Sequence, residues 1–96
     1  MALERILLGR VPVDSGQLLV VDPCYIQELP QDDYDRCCEA SNEHGGPVAL
    51  GTIPDLAVCF PSGFGDGEYE VWAEVKKFGN WGRRVTRVEI LLVDED

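Results

Sequence analysis

The sequence predicts a mainly β (α+β) fold, a small antiparallel β-barrel or sandwich of about six strands with one helix inserted after the second strand. Three observations carry that expectation. Short apolar or alternating segments recur along the chain, separated by clusters of Gly, Pro, Asp and Ser. Only residues 32–43 combine helical spacing with start and stop signals. Residues 68–76 alternate strictly, with Tyr69, Val71, Ala73 and Val75 on one face and Glu68, Glu70, Trp72, Glu74 and Lys76 on the other.

In chain order, residues 3–13 carry Ile6, Leu7, Leu8, Val11 and Val13, and the nearby Gly9 and Pro12 favour a strand over a helix. Asp14-Ser15-Gly16 reads as a turn, because Asp and Ser bond nearby backbone and Gly permits the reversal. Gln17 to Asp22 is an apolar, β-branched run too short for a helix, and Pro23 stops it. The helix, capped by Asp32 or Asp33 and ended by Gly45-Gly46, presents Tyr34, Cys37, Cys38 and Ser41 at three-to-four spacing. That stripe can lie on a sheet, and His44 sits at the solvent-facing helix exit. Residues 47–53 and 56–60 predict two short strands divided by Pro54-Asp55. A glycine loop over residues 61–67 then enters the alternating strand. Phe78 to Gly82 predicts a hairpin loop, residues 83–93 its return strand, and Asp94-Glu95-Asp96 a solubilising tail. Without internal repeats or a linker, the 96 residues are expected to form a single domain.

Eighteen acidic against eight basic side chains give a formal charge of −10. Bare nucleic acid is a poor partner for such a surface, since phosphate binding requires a basic face. A cation, a small polar ligand or a basic protein fits better, although the charge also serves plain solubility. No apolar run is long enough to cross a membrane and the start does not read as an export signal, which predicts a cytoplasmic location. Cys24, Cys37, Cys38 and Cys59 lack zinc-type spacing and are expected to be reduced, structural thiols. No metal site or cofactor is expected.

Two polar clusters far apart in sequence stand out. One runs from Asp14-Ser15-Gly16-Gln17 to Asp22-Pro23-Cys24-Tyr25; the other is Ser62-Gly63-Phe64-Gly65-Asp66-Gly67-Glu68-Tyr69. Together they resemble a DUF4241-like group of uncharacterised bacterial and phage proteins with a DSGQ, DPCY and GDGxY order. The resemblance implies a bacterial or phage source, a bacterial host cytoplasm and a shared β-rich fold. It brings no catalytic role. A phage source would suit sequestration of a host signalling nucleotide, a counter-defence function.

The residues themselves suggest a non-enzymatic binding module. Successive glycine-loop amides can form an anion nest, and Asp14, Ser15, Gln17, Asp22 and Asp66 add polar groups. Gly63, Gly65 and Gly67 shape the loop, Phe64, Tyr25 and Trp81 offer stacking surfaces, and Arg83 and Arg84 add charge. A bland reading competes: Asp14 and Asp22 cap turns, Asp66 supports the loop, and Arg83 and Arg84 protect an edge strand. Catalysis has little support, since the one histidine, His44, falls in the predicted mobile helix exit and no oxyanion arrangement is readable. An alternative function from another class is an acidic inhibitor occupying the basic groove of a host enzyme, with an exposed Trp72 among Glu68, Glu70 and Glu74. A structural accessory role is a further alternative. An exposed edge strand or the Trp72 face also offers a route to a homodimer.

Overall fold

A computed structural model describes residues 3–25, 31–42 and 44–93. It is mainly β. Among the described residues there are six strands: β1 (Glu4–Val13), β2 (Gln17–Val21), β3 (Gly46–Leu50), β4 (Ile53–Pro61), β5 (Gly67–Lys77) and β6 (Arg83–Ile90). An α-helix, α1 (Gln31–Ala40), follows the second strand as expected. No helix among the described residues is long and apolar enough to cross a membrane. The chain forms two compact units, Val13–Asp66 and Met1–Pro12 with Gly67–Asp96, each with a three-stranded sheet.

The sheet orders are β2-β4-β3 and β1-β5-β6, so no closed barrel forms among the described residues. A barrel needs one ladder that returns to its first strand. Here β4 takes both neighbours within its own unit, while β1 and β6 flank β5.

In the Val13–Asp66 unit, β2 and β3 both run antiparallel to β4. Val48, Ala57 and Cys59 point to the face that α1 covers, and with Cys37 and Leu50 they form the buried core. Of the expected stripe Tyr34, Cys37, Cys38 and Ser41, Cys37 is the buried member, Ser41 is part-buried, and Tyr34 and Cys38 are exposed. Asp33 departs from its expected capping role. It is buried, pairs with Arg36, and accepts the Gly51 N–H at 3.1 Å, tying the helix to the β3–β4 hairpin.

That hairpin turns at Gly51-Thr52, where Leu50 faces Ile53, and Pro54-Asp55 lies inside β4. The turn expected at Pro54-Asp55 is thus corrected by three residues. Gly51 adopts φ 59°, the left-handed conformation that a two-residue hairpin loop requires. Beyond the helix, Gly45 has φ 105°, and a methyl group there would lie 2.6 Å from Phe60 Cβ and 2.7 Å from the Cys59 carbonyl. Only glycine lets the returning chain pass so close to β4. Part of the expected helix end, residue 43, and the charged tail, residues 94–96, lie outside the described residues.

In the other unit, β5 and β6 pair antiparallel with a bulge that leaves Thr86 as the extra residue between Val85 and Arg87. The Phe78–Gly82 hairpin loop contains a single 3-10 turn, Gly79–Trp81. β6 ends at Ile90, short of the expected residue 93.

Candidate functional site

The glycine loop is built on Ser62, whose side chain is fully buried. Its N–H donates to the Gly16 carbonyl at 3.0 Å, and its hydroxyl donates to the Gly65 carbonyl at 2.8 Å. The Gly65 N–H returns to the Ser62 carbonyl at 2.9 Å, closing a tight turn over Gly63 and Phe64. Gly63 (φ 59°) and Gly65 (φ 112°) supply the backbone path, and Phe64 projects from it 93% exposed. A methyl group on Gly16 would sit 3.8 Å from Gly65 Cα and 3.9 Å from Asp66 Oδ1. The Asp14–Gln17 turn and the Ser62–Asp66 loop therefore form one rim, although some 45 residues separate them.

Beside the Asp14–Gln17 turn is an open hollow of about 100 Å³. Ser15, Gln17, Leu18, Leu19 and the β4 residue Cys59 line it from the sheet, and Tyr34 and Cys37 from the helix. Gln17 is the central polar group. Its Oε1 accepts from Ser41 Oγ at 2.6 Å and from Cys59 Sγ at 3.4 Å, while Nε2 donates to Cys38 Sγ at 3.6 Å. Ser41 Oγ also lies 3.2 Å from Cys59 Sγ. The amide plane is consequently held by both α1 and β4. Burial, reinforced by the neighbouring Cys59, pushes the Cys37 thiol up to about 11. The adjacent Cys38 sulfur, by charge and hydrogen bond, pushes the Tyr34 hydroxyl above its ordinary value. The Cys37 thiol and the Tyr34 hydroxyl are therefore neutral near pH 7, and the hollow is mostly apolar with a fixed amide in its wall.

No family model matches the chain, and no curated protein or solved structure shows significant similarity to it. The site's meaning rests on its geometry.

Of the sequence-predicted residues, Asp14, Ser15, Gln17, Gly63, Phe64, Gly65 and Asp66 belong to this rim. Asp22 and Tyr25 do not. They sit past the far end of β2, about 17 Å along the strand from Gln17. There the Asp22 carboxylate accepts the Cys24 N–H at 3.0 Å and its carbonyl accepts the Tyr25 N–H at 3.0 Å, the turn-capping role of the bland reading. Gly67 opens β5 and belongs, with Trp81, Arg83 and Arg84, to the other unit. Trp81 is 76% exposed; Arg83 pairs with Glu4 at 2.8 Å, and Arg84 donates to the Arg83 carbonyl.

Two further expectations change. Trp72 is half-buried, not exposed: Arg5 lies 4.2 Å from its ring centroid and its Nε1 donates to Glu70 at 3.1 Å. Arg10 contacts Glu70 at 2.8 Å and Glu68 at 3.9 Å, so the expected acidic patch is partly offset from within its own unit. Among the cysteines, Cys37 and Cys59 are buried as expected, whereas Cys24 and Cys38 are exposed. Sequence reasoning missed Tyr34, Cys37, Cys38, Ser41 and Cys59 as neighbours of the site. The three-to-four spacing of Tyr34, Cys37, Cys38 and Ser41 was the available signal; what it lacked was the partner strand that carries Cys59.

Proposed function

We propose that the Val13–Asp66 unit is a non-enzymatic binding module for a small polar ligand at the Asp14–Gln17 and Ser62–Asp66 rim. The observation that carries the reading is the joined rim, whose Asp14–Gln17 half borders an open hollow walled by the fixed Gln17 amide. Preorganised polar groups at the mouth of a mostly apolar hollow are what small-molecule sites use for orientation and specificity. A volume of about 100 Å³ takes only a few heavy atoms, so any larger ligand leaves most of itself on the rim. Exposed Asp14 and Asp66 favour a neutral or cationic group there. A nucleotide-derived signalling ligand, and with it a counter-defence role, needs cations that this unit's rim does not itself display.

Native mass spectrometry of protein purified from a bacterial host tests the proposal. The expected result is a copurifying small molecule that denaturation releases, and that a Gln17→Ala variant with an unchanged circular dichroism spectrum loses. A folded wild-type protein that carries nothing, and stays bare when incubated with the host metabolite extract, would overturn it.

A second reading retains an acidic interaction protein but moves its anchor from Trp72 to Phe64. An almost fully exposed aromatic on a turn braced by Ser62, with Asp66 beside it, suits an apolar pocket with a basic rim on a host protein. Phe64→Ala would then abolish that contact without changing the fold.

A further inference from the structure

We infer that β6 pairs with β6 of a second copy of this chain, joining two β1-β5-β6 sheets into one six-stranded sheet. Among the described residues β6 has a strand neighbour, β5, on one side only. Every residue from Arg83 to Glu89 is exposed, including Val85 at 57% and Val88 at 53%. An edge strand of this kind leaves backbone donors and acceptors unpaired by any ladder, a template for another strand.

The bulge decides which residues can meet. Val85 lies opposite Val75 and Val88 opposite Ala73, so the extra Thr86 puts both valines on one sheet face. Arg84, opposite Lys76, shares the other face with Arg87 and Glu89, opposite Glu74 and Trp72. With Thr86, the extra residue, counted out of the new ladder as it is out of the ladder with β5, a two-fold axis at Arg87 sets each Val85 against the second copy's Val88 and each Arg84 against its Glu89. Directly opposed residues fall on the same face throughout, as an antiparallel pair demands. Shifting the axis to Val85 would instead oppose Arg84 with Arg87.

Charge supports this register. Arg84 has no carboxylate partner among the described residues, and its one recorded bond is to the Arg83 carbonyl. Glu89 receives Arg5 on one carboxylate oxygen at 2.9 Å, and its other oxygen has only the longer 3.7 Å contact with Arg87, which a closer cation from the second copy would share. The two Arg87 residues at the axis each have Glu74 at 3.9 Å and Glu89 at 3.7 Å to offset their repulsion. Charges and bulges on an edge usually discourage pairing. On β6 they are self-complementary about one axis.

Sedimentation velocity over a concentration series tests the inference with three proteins: wild type, Arg84→Glu and Glu89→Arg. Wild type is expected to shift from monomer to dimer with rising concentration, and each single variant to raise the dissociation constant about tenfold or more, since two cross-strand pairs become repulsive at once. An equimolar mixture of the two variants is the decisive arm. In the heterodimer the introduced carboxylate of one chain faces the introduced guanidinium of the other, and the native Arg84 faces the native Glu89. Both cross-strand pairs join opposite charges again, so association should return. A wild type that stays monomeric at high micromolar concentration would overturn the inference, as would a dimer indifferent to these charges or a mixture that fails to associate.

Discussion

The two units have three strands each and are held together by different chemistry. In the Val13–Asp66 unit, α1 covers one sheet face, and Cys37, Val48, Leu50, Ala57 and Cys59 form a continuous buried cluster. In the other unit, Ala73 and Val75 are the buried apolar residues among those described. Exposed pairs link its strands instead: Arg5 with Glu89, Arg10 with Glu70, and Arg83 with Glu4. Burying an aliphatic side chain is worth about 1.5–3 kcal/mol, whereas an exposed ion pair contributes about 0.2–1 kcal/mol. The unit with the covered sheet therefore carries the precise geometry of the candidate site. The charge-laced sheet depends more on its solvent and on what pairs with its edge.

The largest expected break in this comparison is Gly45→Ala. The added methyl group meets β4 backbone and Phe60 at a positive φ, so the Val13–Asp66 unit should lose about 2–4 kcal/mol in urea denaturation. A loss within a few tenths of a kcal/mol would show that the helix exit can move away from β4.

A smaller effect distinguishes the buried core by pH. The Cys37 thiol ionises near 9 when unfolded and is pushed up to about 11 when folded. Its contribution is fully present below pH 9, and it declines as pH rises from about 9 to 11, because the unfolded chain releases the proton first. Thermal melts should drop across that window in wild type and less so in Cys37→Ala. Equal slopes would remove the thiol from the alkaline transition.

Smallest of all is Arg10→Ala in the charge-laced sheet, expected to cost under about 1 kcal/mol at low salt and less at high salt. Hydrogen exchange of the β5 amides would report it. Glu70, held below the usual Glu range first by the Trp72 N–H and then by Arg10, gives the opposite pH sign to Cys37. Its contribution is present above a pH of about 4.5 and is lost as pH falls through its lowered pKa.

Much of the fold was legible because local pattern and tertiary demand agreed. The strict alternation of β5 is a period that only a strand satisfies, and Cys37, at the centre of the Tyr34, Cys37, Cys38 and Ser41 stripe, is buried against the sheet while Tyr34 and Cys38 stay exposed. The β3–β4 turn was misplaced because Pro54-Asp55 is the stronger local turn signal. Register placed Leu50 opposite Ile53 and selected Gly51-Thr52 instead. Asp33 looked like a cap for the same reason: its role depends on Gly51, far away in sequence. At the site, the polar identity of Asp14, Gln17 and Asp66 was readable. The split between a rim formed by Gln17 and a remote turn formed by Asp22 was not, since both flank the same short strand.

By itself the sequence determined composition, charge, the strand and helix inventory and the glycine positions, because these follow from side-chain chemistry and short-range periodicity. Tertiary structure decided which strands share a sheet, that Gln17 meets Ser41 and Cys59, and that Trp72 is covered by Arg5 and not open to solvent. Those outcomes depend on contacts between residues tens of positions apart. Local propensity does not encode such contacts, and only the packing of whole elements selects them.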